Sequence, residues 1–62
     1  MKVFEIQVGS TDPEERNYRR TVYGKAKAMP EAIVAALRVV KKSCEVAEPK
    51  VVAASEVADL EF

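Results

Sequence analysis

One stretch of this chain repeats with a helical period, and the segments around it alternate. Ile33, Ala36, Leu37, Val40 and Cys44 recur at spacings of three and four or one, which places them on one stripe of a helix. Pro30 suits the opening turn, where its missing N–H is no loss. Glu31 lies at the positive end of the helix dipole, and Arg38, Lys41 and Lys42 gather toward the negative end, each the stabilising sign. Pro49 bars continuation, so the helix should end near Ser43 and Cys44. Glu31, Ala35, Arg38, Lys41 and Lys42 form its outer side, with Val34 and Val39 at the margins.

A chain of 62 residues with one helix must complete its core with strands. In "KVFEIQV", Phe4, Ile6 and Val8 point one way and Val3, Glu5 and Gln7 the other, the pattern of a half-buried strand. "GSTDPEERN" reads as a loop, with Gly9 and the Asp12-Pro13 pair as turn formers. At about nine residues it exceeds the usual hairpin connection. Residues 18–28 alternate again. Tyr18, Arg20, Val22, Gly24, Ala26 and Ala28 share one face, and Arg19, Thr21, Tyr23, Lys25 and Lys27 share the other. Gly24 and the alanines are expected to let the helix lie close. "KVVAAS" reads as a third strand. In "EVADLEF", Leu60 and Phe62 sit two apart, consistent with a short fourth strand or a docked tail.

The expected fold is a single small α+β domain over residues 1–62, β-β-α-β, with an antiparallel sheet in the order 2-1-3. A crossover through the helix brings the third strand beside the first, and the helix packs on one face. The other face has no cover within the chain. It is expected to show Val3, Glu5, Gln7, Arg19, Thr21, Tyr23, Lys25 and Lys27.

A domain this small buries only about 60% of the surface its unfolded chain exposes. Cys44 is the only cysteine and there is no His, so neither a disulfide nor a zinc cluster is expected to add stability. Self-association, most simply a homodimer, is the expected supplement. One unpaired thiol fits a reducing compartment. "MKVFEIQVGS" lacks the apolar run of a secretion signal, and "AIVAALRVV" is too short to span a bilayer. A cytoplasmic protein without membrane contact is therefore expected. Net charge is zero, but residues 1–44 carry nine basic and five acidic groups against one and five in residues 45–62. The fold either separates these signs into two patches or mixes them.

Catalysis is not expected. A Ser or Cys nucleophile needs a base beside it, most often His. Cys44 lies at the helix end that disfavours a thiolate and reads as a small buried apolar residue. Glu14 and Glu15 read as solvated loop charges. Gly9 and Gly24 are isolated and open no phosphate-binding helix. No cofactor or metal is implied.

What remains is a surface. Arg19, Thr21, Tyr23, Lys25 and Lys27 on the uncovered face form the expected partner-binding set, with the loop residues Asp12, Glu14, Glu15 and Arg16 as an alternative contact. Cations around a ring are what single-stranded nucleic acid binders use. A second aromatic is absent, however, and a neutral chain has a weak long-range field. Lysines also defend an edge strand, and the half-apolar mixture of Val3, Thr21 and Tyr23 suits a protein partner or a second copy. Protein contact is the favoured reading, and nucleic-acid binding through the same face is the alternative.

The stretch "GKAKAMPEAIVAAL", a strand ending in small residues followed by a Pro-Glu-Ala helix start, resembles the core of HicB-type antitoxins. It is also similar in plan to very small phage-encoded inhibitors, including some anti-CRISPR proteins. The resemblance implies a phage or mobile-element accessory protein or inhibitor that acts by binding, and it assigns no site residue.

Overall fold

The computed structural model describes residues 1–59. Strand β1 (Lys2–Ser10) is followed by a 3-10 turn (Pro13–Glu15), strand β2 (Arg20–Ala26), helix α1 (Met29–Ser43) and strand β3 (Pro49–Asp59). The three strands form one antiparallel sheet in the order β2-β1-β3, as the sequence predicts. β1 carries the alternating triplet and takes the central place. Phe4, Ile6 and Val8 meet Gly24, Val22 and Arg20 of β2 on one side, and Glu56, Ala54 and Val51 of β3 on the other.

Phe4, Ile6 and Val8 are buried under α1 together with Ala26, Ala32, Ala36, Val40 and Val46. Met29, Ile33 and Leu37 pack at the margin of this core. The buried stripe of α1 is thus Ala32, Ala36 and Val40. Two small alanines on the helix allow its close approach to the sheet. Gly24 does not serve this purpose, because a Cβ built there meets nothing within 4 Å. Fully burying a Val, Ile or Phe side chain contributes about 1.5–3 kcal/mol, so the few large buried residues carry much of the stability. Val46, from the connection between α1 and β3, is a core residue that no periodic pattern marks.

Helix α1 begins one residue before Pro30, with Ala28 at the N-cap and no side-chain cap. Glu31 substitutes from within the helix: its Oε2 accepts the Lys27 backbone N–H at 3.3 Å. At the other end Cys44 occupies the left-handed region, with φ 59°, and its N–H donates to the Lys41 carbonyl. That conformation turns the side chain out of the stripe, so Cys44 is exposed rather than buried as the spacing implied.

The segment between β1 and β2 is a structured turn. Asp12 Oδ1 accepts the Glu14 N–H at 2.9 Å, Ser10 Oγ accepts the Asp12 N–H at 3.1 Å, and the Ser10 hydroxyl donates to Glu15 Oε1 at 3.0 Å. Thr11 ties the turn to the start of β3: its N–H donates to the Glu48 carbonyl and its hydroxyl to Glu48 Oε2 at 2.7 Å.

β3 departs most from expectation. "KVVAAS" and "EVAD" form one eleven-residue strand, and among the described residues there is no fourth strand. Leu60 and Phe62 lie outside the described residues. Two register shifts against β1, between Val3 and Phe4 and between Gln7 and Val8, leave Val57 and Val52 as extra residues. Such bulges break the two-residue period.

The fold brings the two signs of charge together. Among the described residues, two ion pairs join a cation of the first 44 residues to an acid after residue 44: Lys2 with Glu56 at 3.3 Å and Arg20 with Glu45 at 2.5 Å. No helix among the described residues is long and apolar enough to cross a membrane.

Candidate functional site

The sheet face opposite α1 is built from Val3, Glu5 and Gln7 of β1, Thr21, Tyr23 and Lys25 of β2, and Ala53, Ser55 and Ala58 of β3. Nothing in the described chain covers it. Its most exposed aromatic is Tyr23, with 64% of its surface open. Cross-strand register fixes the arrangement: Glu5 lies between Tyr23 and Ser55, Gln7 between Thr21 and Ala53, and Val3 between Lys25 and Ala58.

At the centre of this face sits an anion. The Tyr23 hydroxyl donates to Glu5 Oε2 at 3.1 Å, and the Gln7 side-chain amide donates to Glu5 Oε1 at 3.4 Å. Donation to Glu5, followed by the repulsion of its charge and by desolvation, raises the Tyr23 pKa above its ordinary value. The hydroxyl is tied to Glu5 while most of the Tyr23 side chain stays open.

The expected basic set is only partly assembled. Thr21, Tyr23 and Lys25 share the open face and are exposed. Arg19 precedes β2, and its guanidinium reaches back over Gly9. A Cβ at Gly9 would lie 2.7 Å from Arg19 Nη1 and 2.9 Å from Val52 Cγ2. The absence of a side chain at Gly9 is what lets Arg19 and Val52 each lie close over the end of β1. Lys27 lies beyond β2, in the turn before α1, and is not part of the strand face. In the alternative loop, Glu14 and Arg16 are exposed while Asp12 and Glu15 are half-buried and engaged in the turn's own hydrogen bonds.

A second polar cluster lies on the helix side, and sequence reading missed its centre. Glu45, just past the end of α1, accepts the Tyr18 hydroxyl on Oε2 and Arg20 Nη1 on Oε1, each at 2.5 Å. Arg20 also reaches Ser43 Oγ at 3.4 Å, and that hydroxyl donates to the Val40 carbonyl. Desolvation is the largest cause of a raised Tyr18 pKa, with donation to Glu45 next and Arg20 opposing. The alternation of β2 places Tyr18 and Arg20 on one face, but their partner lies 25 or more residues away. The cluster fastens the start of β2 to the end of α1.

A shallow groove of about 420 Å³ runs between the second half of α1 and the approach to β3, lined by Leu37, Arg38, Lys41, Ala47, Glu48 and Pro49. Among the described residues no group of three or more His, Cys, Asp or Glu is placed to hold a metal ion. No family model, curated protein or solved structure matches this chain.

Proposed function

We propose that this protein acts by binding another protein through the open sheet face. The observation that supports it best is the setting of Tyr23: an aromatic ring 64% exposed, anchored by Glu5 and neighboured by Val3, Thr21 and Lys25. Rigid aromatic anchors carry much of the energy of protein interfaces. Lys25 lies to the β2 side, so the partner that fits presents an apolar patch with an acidic group along that side. An accessory or inhibitory role of the kind the sequence resemblance implies is one setting for such a surface.

Nucleic acid fits the face less well. A phosphate chain crossing it meets the Glu5 carboxylate at its centre, and one ring is no stacking platform.

The test uses the whole chain as bait in a lysate of its host, with wild type, Tyr23→Ala and Glu14→Lys compared by quantitative mass spectrometry. A captured protein retained by Glu14→Lys and lost by Tyr23→Ala supports the reading. Capture indifferent to Tyr23 refutes it. So does oligonucleotide binding, by fluorescence anisotropy, whose affinity falls steeply as salt rises.

A further inference from the structure

We infer that the outer edge of β2 receives an extended segment of another protein as an added strand, with an acid of that segment opposite Lys25 and a large apolar residue opposite Gly24. The sheet ends in β2 on one side and β3 on the other, and the two edges are not alike. β3 opens at Pro49, and its pairing with β1 shifts register twice. Proline and bulges are devices that keep a further strand from an edge. β2 has neither. Its residues from Arg20 to Ala26 pair with Val8 to Lys2 without a break, so its outer side keeps the regular spacing that a new ladder needs. No turn or loop of the described residues donates to or accepts from the main chain of β2 on that side. A row of unpaired N–H and C=O groups on a regular edge is a template for strand addition.

The side chains of β2 select the occupant. Residues opposed across a ladder lie on the same face of the sheet. The row of Val3 and Lys25 therefore continues outward on the open face, and the row of Phe4 and Gly24 on the helix side. Lys25 is exposed and, among the described residues, makes no ion pair, so an acid opposite it gains a partner. A Cβ built at Gly24 meets nothing within 4 Å. That space takes a large side chain from across the ladder, as an aromatic residue covers a glycine at a sheet edge. Val22, half-buried and packed against the core, gives it an apolar neighbour. The segment that fits thus carries an acid next to a large apolar residue. A second copy is a poorer occupant: its β2 holds no acid, and its β3 carries the two register shifts.

Strand addition at the edge does not require docking on the open face. Main-chain pairing protects β2 amides, whereas a partner resting on Tyr23 through side chains alone leaves them unpaired.

The test selects a phage-displayed library of random short peptides on the full chain. A selected peptide is expected to carry an acid next to a large apolar residue. It is expected to slow amide hydrogen exchange, by NMR, at every second residue of β2. Lys25→Glu, at an exposed position, is expected to keep the wild-type far-UV circular dichroism spectrum and to weaken that peptide by roughly tenfold or more. Selection on this variant is expected to exchange the acid for Lys or Arg. Failure to select any peptide overturns the inference. So does a peptide that slows exchange along β3 instead, one that Lys25→Glu binds as tightly, or a wild-type dimer by sedimentation equilibrium whose own contact already protects β2. A peptide lost by Tyr23→Ala that protects no β2 amide overturns strand addition and leaves docking on the open face standing.

Discussion

The Tyr23 hydroxyl donates to Glu5 Oε2 at 3.1 Å across the pairing of β1 with β2, and this bond sets an anion in the middle of a face that β2 alone would make basic. The consequence is measurable. The wild-type chain is expected to show no salt-sensitive oligonucleotide binding near physiological ionic strength. Glu5→Lys replaces the central anion with a cation beside Lys25 and is expected to create such binding, by fluorescence anisotropy, with an affinity that declines linearly in log salt. If wild type and Glu5→Lys bind alike, Glu5 does not set the character of this face.

Tyr18 and Glu45 give the protein an alkaline limit. Folding raises the Tyr18 pKa above the ordinary 10.0, through desolvation first and donation to Glu45 second. A hydroxyl raised on folding stabilises the native state fully below its unfolded value, and that contribution is lost as pH rises through the folded value. At neutral pH, Tyr18→Phe is expected to cost about 0.5–1.5 kcal/mol, the usual net worth of one hydrogen bond. As pH rises above 10.0 and through the raised value, the gap between wild type and Tyr18→Phe is expected to narrow. Thermal melts from pH 7 to 11 follow it. Because Arg20 and Glu45 are partly exposed, a double-mutant cycle between them is expected to give only about 0.2–1 kcal/mol.

The two glycines are expected to respond in opposite directions. Gly24→Ala adds a methyl group in open space, at a position without positive φ, and removes conformational freedom from the unfolded chain. A gain of about 0.4–1 kcal/mol is expected. Gly9→Ala drives a methyl group into Arg19 Nη1 and Val52 Cγ2. The guanidinium swings away cheaply, but the short Val52 side chain yields only if β3 shifts, so a loss of about 1 kcal/mol is expected. Urea denaturation of the two variants decides it, and equal effects would mean that Gly9 is not required for the close approach.

Alternation made β1, β2 and the order of the sheet legible, because Phe4, Ile6 and Val8 set one face and every partner face follows from register. It also set Glu5 and Tyr23 on the same side. Their direct pairing depends on which residue of β2 lies opposite Glu5, and the structured turn from Ser10 to Glu15 helps decide that. β3 read as two pieces because the bulges at Val52 and Val57 interrupt its period, and Glu56, brought opposite Phe4 by that shift, pairs with Lys2. Glu45 carries no local signal: its role comes from Tyr18 and Arg20, brought to it by the packing of α1 across the sheet.

Cys44 shows how a stripe argument fails at a helix end. Four residues after Val40, it should point inward, but the chain has already left right-handed geometry, with φ 59° at Cys44. The left-handed region costs an L-residue roughly 1–2 kcal/mol, and glycine is the residue that commonly ends helices this way. The exposed side chain gives little back: its one hydrogen bond is a weak thiol contact to the Lys42 carbonyl at 3.8 Å. Cys44→Gly relieves the strain while adding some entropy to the unfolded chain, for an expected net gain of about 0.5–1 kcal/mol. Cys44→Ala keeps the strain and is expected to change stability by less than about 0.5 kcal/mol. In a domain of this size the glycine gain corresponds to a rise in Tm of about 2–8 °C, within reach of a calorimetric scan under reducing conditions. A Cys44→Gly variant that melts with or below Cys44→Ala would mean that the turn after α1 does not hold Cys44 in the left-handed region.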